Sequence, residues 1–193
     1  MKGSRPSSQA YTALIGAFSL FSLIGGYFAA TQPIGAGWRA PFSYHPFLMI
    51  LGFVGLMGSG AVTKKMGGYS NTKMHGYLAS AGLVAAFGGL FAIYSNKELL
   101  GKPHFLSNHS WGGIMALAGC VVVNVFGGLA LHPDFGIAKT NKTFRTMHKW
   151  FGRICVLIGW IACLAGLQQL TEDKAKLAMF GLPLLVLFPF TII

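Results

Sequence analysis

The sequence predicts an all-α membrane protein with six transmembrane helices, of which the inner four form a four-helix bundle. Of its 193 residues, 53% are hydrophobic and only 10% are charged, whereas soluble domains carry about 25% charged residues. The apolar residues are grouped in blocks of about 20, the length that an α-helix needs to cross a bilayer. Lipid is therefore the solvent of most of this chain, and residues 1–193 fit a single transmembrane domain.

Short polar loops separate the apolar blocks and set the bounds of the predicted spans. The first block is too long for the core of a signal peptide and precedes no clear cleavage site. The last block contains Pro183 and Pro189, so it either spans fully or lies partly at the interface. The predicted spans cover about residues 11–30, 45–63, 73–94, 109–131, 148–170 and 175–193.

Basic residues are distributed unequally between the two sides of the predicted membrane domain. The side with both termini carries ten Lys and Arg residues and one acid, whereas the other side carries five and three. The positive-inside rule places both termini in the cytoplasm or in an equivalent compartment, such as stroma or matrix. The net charge of +11 is therefore interpreted as a topology signal, and not as a sign of nucleic-acid binding.

The three cysteines do not indicate a haem or zinc site. Cys120, Cys155 and Cys163 all lie inside apolar blocks, and no two of them form a C-x-x-C pair. Neither a covalent haem site nor a thiolate zinc site is therefore indicated.

Four of the six histidines lie near the starts of separate predicted spans. Because consecutive helices run in opposite directions, His45 and His109 lie on one side of the membrane, and His75 and His148 on the other. Ionisable residues inside spans are costly and usually functional. Each pair could supply both axial ligands of one haem between facing helices of a bundle. His104 and His132 lie in loops, and we interpret them as solvated residues that are not ligands.

Small residues follow the histidines on one face of each helix. Positions 4, 7, 11 and 14 after a residue share its face. They are Ala79, Gly82, Ala86 and Gly89 after His75; Gly152, Cys155, Gly159 and Ala162 after His148; and Gly113, Ala116, Cys120 and Val123 after His109. Such faces suit a flat macrocycle, although small residues also allow close helix packing in lipid. Zinc would need its ligands to converge in one shell, which pairs at opposite faces cannot provide.

These motifs resemble the eukaryotic cytochrome b561 family over roughly residues 11–193. The segments that carry the resemblance are His45-Pro46-Phe47-Leu48-Met49, Met74-His75-Gly76, Ser107-Asn108-His109-Ser110-Trp111-Gly112, Met147-His148 and Gly166-Leu167. The resemblance implies six helices, with two non-covalent b-type haems held by the inner four. It also implies electron transfer from cytoplasmic ascorbate to monodehydroascorbate or ferric iron on the other side.

The resemblance further implies an ascorbate site formed by lysines ahead of the third-span histidine. Lys73 matches one of them, whereas the position one turn earlier is occupied by Tyr69. We expect Lys73, Lys149 and Arg153, supported by Arg145, to form an electropositive rim that binds ascorbate or another small anionic reductant.

Two other functions remain open. The chain could be a haem-bearing, non-catalytic subunit of a larger respiratory or photosynthetic membrane complex. Whichever function it has, it could also form a homodimer. A haem-free transporter or assembly factor is the other alternative. The sequence favours a transmembrane electron-transfer oxidoreductase of the ascorbate-dependent reductase type, embedded in a lipid bilayer.

Overall fold

Six helices account for nearly all of the structure, a computed structural model that describes residues 5–32 and 37–192. All six are long and apolar enough to cross a membrane, and the described residues include no strand. The predicted all-α membrane fold is therefore confirmed. The helices are α1 (Ser8–Ala30), α2 (Tyr44–Lys65), α3 (Tyr69–Leu99), α4 (Asn108–Leu131), α5 (Lys142–Gln168) and α6 (Lys174–Ile192).

Polar turns extend several helices beyond the apolar blocks from which the spans were predicted. Helix α5 begins at Lys142 because the side chain of Asn141 accepts a hydrogen bond from the Phe144 amide at 3.1 Å, which caps the helix N-terminus. Helix α3 begins four residues before the predicted start and ends five residues after the predicted end. Hydropathy marks only the lipid-embedded part of a helix, so these ends were missed. Ile193, the predicted end of the last span, lies outside the described residues.

Helix α2 contains a π-helical segment, Leu51–Leu56, between two α-helical parts. This segment carries two glycines at close helix contacts. A Cβ atom on Gly52 would lie 2.6 Å from the Gly82 carbonyl oxygen of α3, and one on Gly55 would lie 2.5 Å from Ser22 Oγ of α1. Helix α2 therefore packs its backbone against both neighbours, which only residues without a side chain allow.

Helices α2 and α3 form one antiparallel hairpin, and α4 and α5 form a second. Each hairpin packs extensively within itself, whereas the contacts between the two hairpins are fewer. Trp160 of α5 joins them by donating its indole N–H to the Phe53 carbonyl oxygen of α2 at 2.9 Å. Trp160 also packs edge-on against Phe18 of α1, at 6.0 Å between ring centres. The inner four helices thus form the bundle, with α1 and α6 packed outside it.

The α2–α3 contact generates a prediction about stability. Gly52→Ala should lower the free energy of unfolding by about 1–3 kcal/mol, because the added methyl group must displace the α3 backbone. Thermal unfolding in detergent would measure the change. Gly16→Ala on α1 is the matched control, because its Cβ would meet no atom within 4 Å. Equal melting temperatures for the two variants would contradict the close-packing account.

Candidate functional site

The four span histidines meet in two pairs at opposite ends of the bundle. His45 of α2 and His109 of α4 have ring centres 5.9 Å apart, with planes at 83°. His75 of α3 and His148 of α5 have ring centres 6.1 Å apart, with planes at 85°. Each pair takes one histidine from each hairpin, so both candidate sites lie between the hairpins.

The positions of the histidines along their helices differ from the sequence expectation in one respect. His45 and His109 are the second residues of α2 and α4. His75 and His148 are the seventh residues of α3 and α5, and not the residues at or next to the start of each span. Nearly two helical turns therefore precede the second pair and carry basic residues beyond it.

The spacing of each pair fits two imidazoles that bind one metal ion from opposite sides. Metal–imidazole bonds are about 2 Å long, and the ring centre lies about 1 Å beyond the nitrogen, so opposed rings have centres about 6 Å apart. Both measured distances match this arrangement. Among the described residues, no three His, Cys, Asp or Glu side chains converge as a metal shell. The arrangement therefore suits haem iron, which needs only two axial ligands from the protein.

Backbone carbonyls fix the tautomer of three of these imidazoles. The Nδ1 atom of His45 donates to Gly89 O at 3.0 Å, that of His75 to Gly60 O at 2.9 Å, and that of His109 to Ala162 O at 2.8 Å. A carbonyl oxygen can only accept, so each Nδ1 carries the proton and each Nε2 keeps its lone pair. A metal-binding imidazole needs this arrangement.

His148 differs from the other three histidines. Its Nδ1 atom is buried and lacks a hydrogen-bond partner within the described part of the chain, although the backbone of Val123 on α4 faces it. A small movement of the ring toward Val123 would complete the pattern. Each of the four imidazoles would then donate a hydrogen bond to a backbone carbonyl of the other helix in its own hairpin.

A glycine lies beside each of the four histidines. In the first hairpin, a Cβ on Gly60 would lie 3.6 Å from His75 Nδ1, and one on Gly89 would lie 3.2 Å from the backbone carbonyl oxygen of His45. A Cβ on Gly127 would lie 2.7 Å from His148 Cε1, and one on Gly166 would lie 2.7 Å from His109 Cε1. Gly89 was identified from the sequence as part of the small-residue face after His75, and Gly166 as part of a family motif. Gly60 and Gly127 were not predicted. A sequence pattern could have identified all four glycines, because each lies 14 to 18 residues after a histidine on the same helix. This spacing brings the glycine level with the histidine pair at the other end of the bundle.

An apolar cavity opens at the His45 and His109 end of the bundle. Met49, Leu90 and Ile114 are among the side chains that line it. Gly113, one turn after His109, borders the cavity, and its Cβ would meet no atom within 4 Å. The small-residue face that follows His109 thus borders open space here, which a flat apolar group can use.

The two loop histidines have partners. His104 stacks on Tyr94 with ring centres 4.4 Å apart, its Nε2 lies 2.7 Å from Glu98 Oε1, and it lines the mouth of the cavity. The side chain of His104 is 24% exposed, so it makes these contacts while it stays partly in contact with solvent. His132 stacks on Phe135 and accepts the amide proton of Asp134 at 3.2 Å.

The predicted basic residues form two groups with different neighbours on the side that carries the termini. The ammonium group of Lys149 and the guanidinium group of Arg153 lie over the Trp150 ring, at 5.8 and 5.0 Å from its centre. Arg145 is exposed on the same helix and lies within electrostatic reach of Lys64. The structure therefore brings Lys149 and Arg153 together on one face of α5.

Lys73 has an acidic partner, which the sequence analysis did not assign to any site. Its Nζ atom lies 3.0 Å from Asp134 Oδ2 and 3.3 Å from Tyr69 Oη. The Tyr69 hydroxyl donates to the other carboxylate oxygen. Hydrogen bonds from Tyr69 and then Lys73 hold the pKa of Asp134 below its usual value of 3.8. Asp134 is therefore charged at neutral pH and balances the charge of Lys73.

The structure defines a multi-pass α-helical membrane protein with two pairs of imidazoles inside a helical bundle. Residues 44–173 match the family model described as eukaryotic cytochrome b561, and these residues are more than half of the chain. The chain therefore belongs to the eukaryotic cytochrome b561 family. Membership supports haem b as the cofactor and electron transfer through the membrane as the kind of reaction.

One curated relative is a lysosomal membrane ascorbate-dependent ferrireductase of Danio rerio. It is 24% identical to this chain over 134 residues, which are 66% of this chain and 54% of the relative. The match thus spans about half of the relative's own length.

The histidine–glycine contacts generate a prediction about cofactor binding. Gly127→Ala should reduce the bound haem to less than half, because the methyl group would meet the His148 ring and displace its Nε2 atom. Gly128→Ala is the matched control, since its Cβ would meet no atom within 4 Å. A pyridine haem assay on the purified variants gives the measurement. Full haem content in Gly127→Ala would contradict the role of Gly127 as the space for that ring.

Proposed function

We propose that this chain binds two b-type haems, one between His45 and His109 and one between His75 and His148, and passes electrons across the membrane. The observation that carries the proposal is the pair of opposed imidazoles at each end of one bundle. Haem held by these histidines would supply reversible one-electron exchange. The chain's own residues would orient the two sites and exclude water from them.

The two sites lie close enough to share one bilayer. His45 and Gly60, the glycine that faces His75, are both on α2, and their separation of 15 positions in the sequence corresponds to about 22 Å of helix. The hydrocarbon core is about 30 Å thick, so one site lies near each face. Moving one electron through the membrane field is worth about 2.3 kcal/mol per 100 mV, so the membrane potential would bias the direction of transfer.

The electron donor is proposed to be ascorbate, or another small anionic reductant, on the basic side. The basic residues Lys149, Arg153, Arg145 and Lys73 would attract such an anion. The name of the Danio rerio relative supports this choice. An ascorbate monoanion that gives up one electron also releases one proton, which passes to water, and becomes monodehydroascorbate. The excess of basic residues on this side supports a position of both termini in the cytoplasm or an equivalent compartment.

The acceptor is proposed to be ferric iron or monodehydroascorbate on the other side. The cavity at the His45 and His109 end supports this choice, because its lining includes the polar side chains of Lys97 and His104 among mostly apolar ones. Lys97 donates to the Pro103 carbonyl oxygen at 2.8 Å, which holds it at that rim. A bound acceptor would therefore lie close to the His45 and His109 site.

The assignment of ligands predicts which spectral components share a site. His75→Ala and His148→Ala should both remove the haem on the basic side, because each variant deletes one axial ligand of the same iron. His45→Ala and His109→Ala should both remove the other haem. Dithionite-reduced minus oxidised spectra with a haem count would measure the losses. The double variant His104→Ala with His132→Ala is the control and should retain both haems.

Two outcomes would contradict this assignment. If His45→Ala and His75→Ala abolish the same spectral component, the pairing is wrong. If the control variant loses a haem equivalent, a loop histidine is a ligand.

The proposed reaction predicts activity of the isolated chain. In proteoliposomes, ascorbate on the basic side should reduce the haems and then a ferric chelate inside, and added salt should slow the first step because it screens the basic residues. Arg153→Gln should also slow that step while both haems are retained. A chain that carries both haems but is not reduced by ascorbate would instead favour the non-catalytic subunit of a larger complex.

A further inference from the structure

Asp134 occupies the position at which an anionic donor would meet Lys73. It lies in the loop between α4 and α5, and its two carboxylate oxygens accept hydrogen bonds from the Lys73 ammonium and the Tyr69 hydroxyl. It is the only acid on the side with the termini, since Glu98, Glu172 and Asp173 belong to the other side. The only acidic side chain of this face thus pairs with Lys73, which lies two residues before His75 in the sequence.

The loop that carries Asp134 is fixed to the end of α4. The Ala138 amide donates to Ala130 O at 2.9 Å, and the Gly136 amide donates to His132 O at 2.9 Å. The Lys139 ammonium donates to the carbonyl oxygens of Pro133 and Asp134, at 3.2 and 3.1 Å. These bonds hold the Asp134 backbone in place, so its side chain reaches Lys73 from a defined position.

We propose that Asp134 is a specificity-determining residue of the donor site, where it acts as the internal counter-ion of Lys73. This role depends on the ascorbate site proposed above for the basic side of the protein. An incoming oxyanion must displace the carboxylate to gain the hydrogen bonds of Lys73 and Tyr69, or bind beside its negative charge. Both routes lower the affinity for anions, and they do so most for anions of high charge.

The consequence is a preference for a donor with one negative charge and additional hydroxyl groups. A single charge meets the least repulsion from Asp134, and hydroxyl groups can donate to its carboxylate where a second anionic group could not. Ascorbate as a monoanion has this chemistry. Phosphorylated or polycarboxylate reductants do not, so Asp134 would exclude them.

The test is a double-mutant cycle in the full-length, haem-loaded protein. Asp134→Asn should raise the rate of haem reduction by dilute ascorbate about two- to fivefold, the effect expected from an exposed ion pair. The gain should vanish when Lys73→Met is also present, because Asp134 acts through Lys73. Asp134→Glu, which keeps the charge, is the control and should stay near the wild-type rate.

Two results would overturn the proposal. One is an unchanged rate in Asp134→Asn with both haems retained. The other is a gain that persists fully in the Lys73→Met background, which would show a general effect of charge rather than competition for Lys73.

A second measurement separates this proposal from the choice of ascorbate as donor. Dithionite-reduced protein is reoxidised with ferricyanide, a polyvalent anion, and with uncharged benzoquinone. Asp134→Asn should raise the ratio of the ferricyanide rate to the benzoquinone rate, and an unchanged ratio overturns the counter-ion role. If ascorbate fails to reduce any variant while this ratio still rises, and the rise is lost when Lys73→Met is also present, the donor assignment is wrong and the role of Asp134 stands.

Discussion

The structure depends on the hydrogen bonds that tie three of its span imidazoles to a carbonyl of the neighbouring helix. A helix carbonyl is normally used by the amide four residues later, so the Nδ1 protons of His45, His75 and His109 share acceptors that the helices already use. Such sharing requires close approach of the ring to the partner backbone, and a side chain on Gly60 or Gly166 would contact the ring of His75 or His109. Ring orientation, tautomer and helix spacing are therefore set together.

These ties lie within each hairpin, whereas the imidazole pairs form between hairpins. His45 and His75 tie α2 to α3, and His109 ties α4 to α5. The His45 and His109 pair and the His75 and His148 pair then bring the two hairpins together. Because direct packing between the hairpins is sparse, a group bound between the paired rings would supply much of their association. Cofactor binding and assembly of the bundle are thus expected to be coupled.

Much of this arrangement could be predicted from the sequence, because lipid imposes strong rules. Helix count and direction follow from hydropathy, and direction alone sorts His45 with His109 and His75 with His148. The helix ends were less accurate, since the cap formed by Asn141 and the polar first turns of α3 lie outside the apolar blocks. The π-helical segment of α2 was not predictable either, because no composition rule distinguishes Leu51–Leu56 from ordinary helix.

The contacts of the polar residues could not be predicted, because they depend on loop conformation. Positive charges on one side indicate topology, but they do not show which of them is neutralised. The loop after α4 brings Asp134 to Lys73 across 61 residues of sequence, and α3 brings Glu98 to His104 across six. In a chain with only four acids, the position of each carboxylate decides which basic residue has its charge balanced. The charge that an anion meets at Lys73 therefore depends on the conformation of one loop, whereas Lys149 and Arg153 are positioned by helix α5.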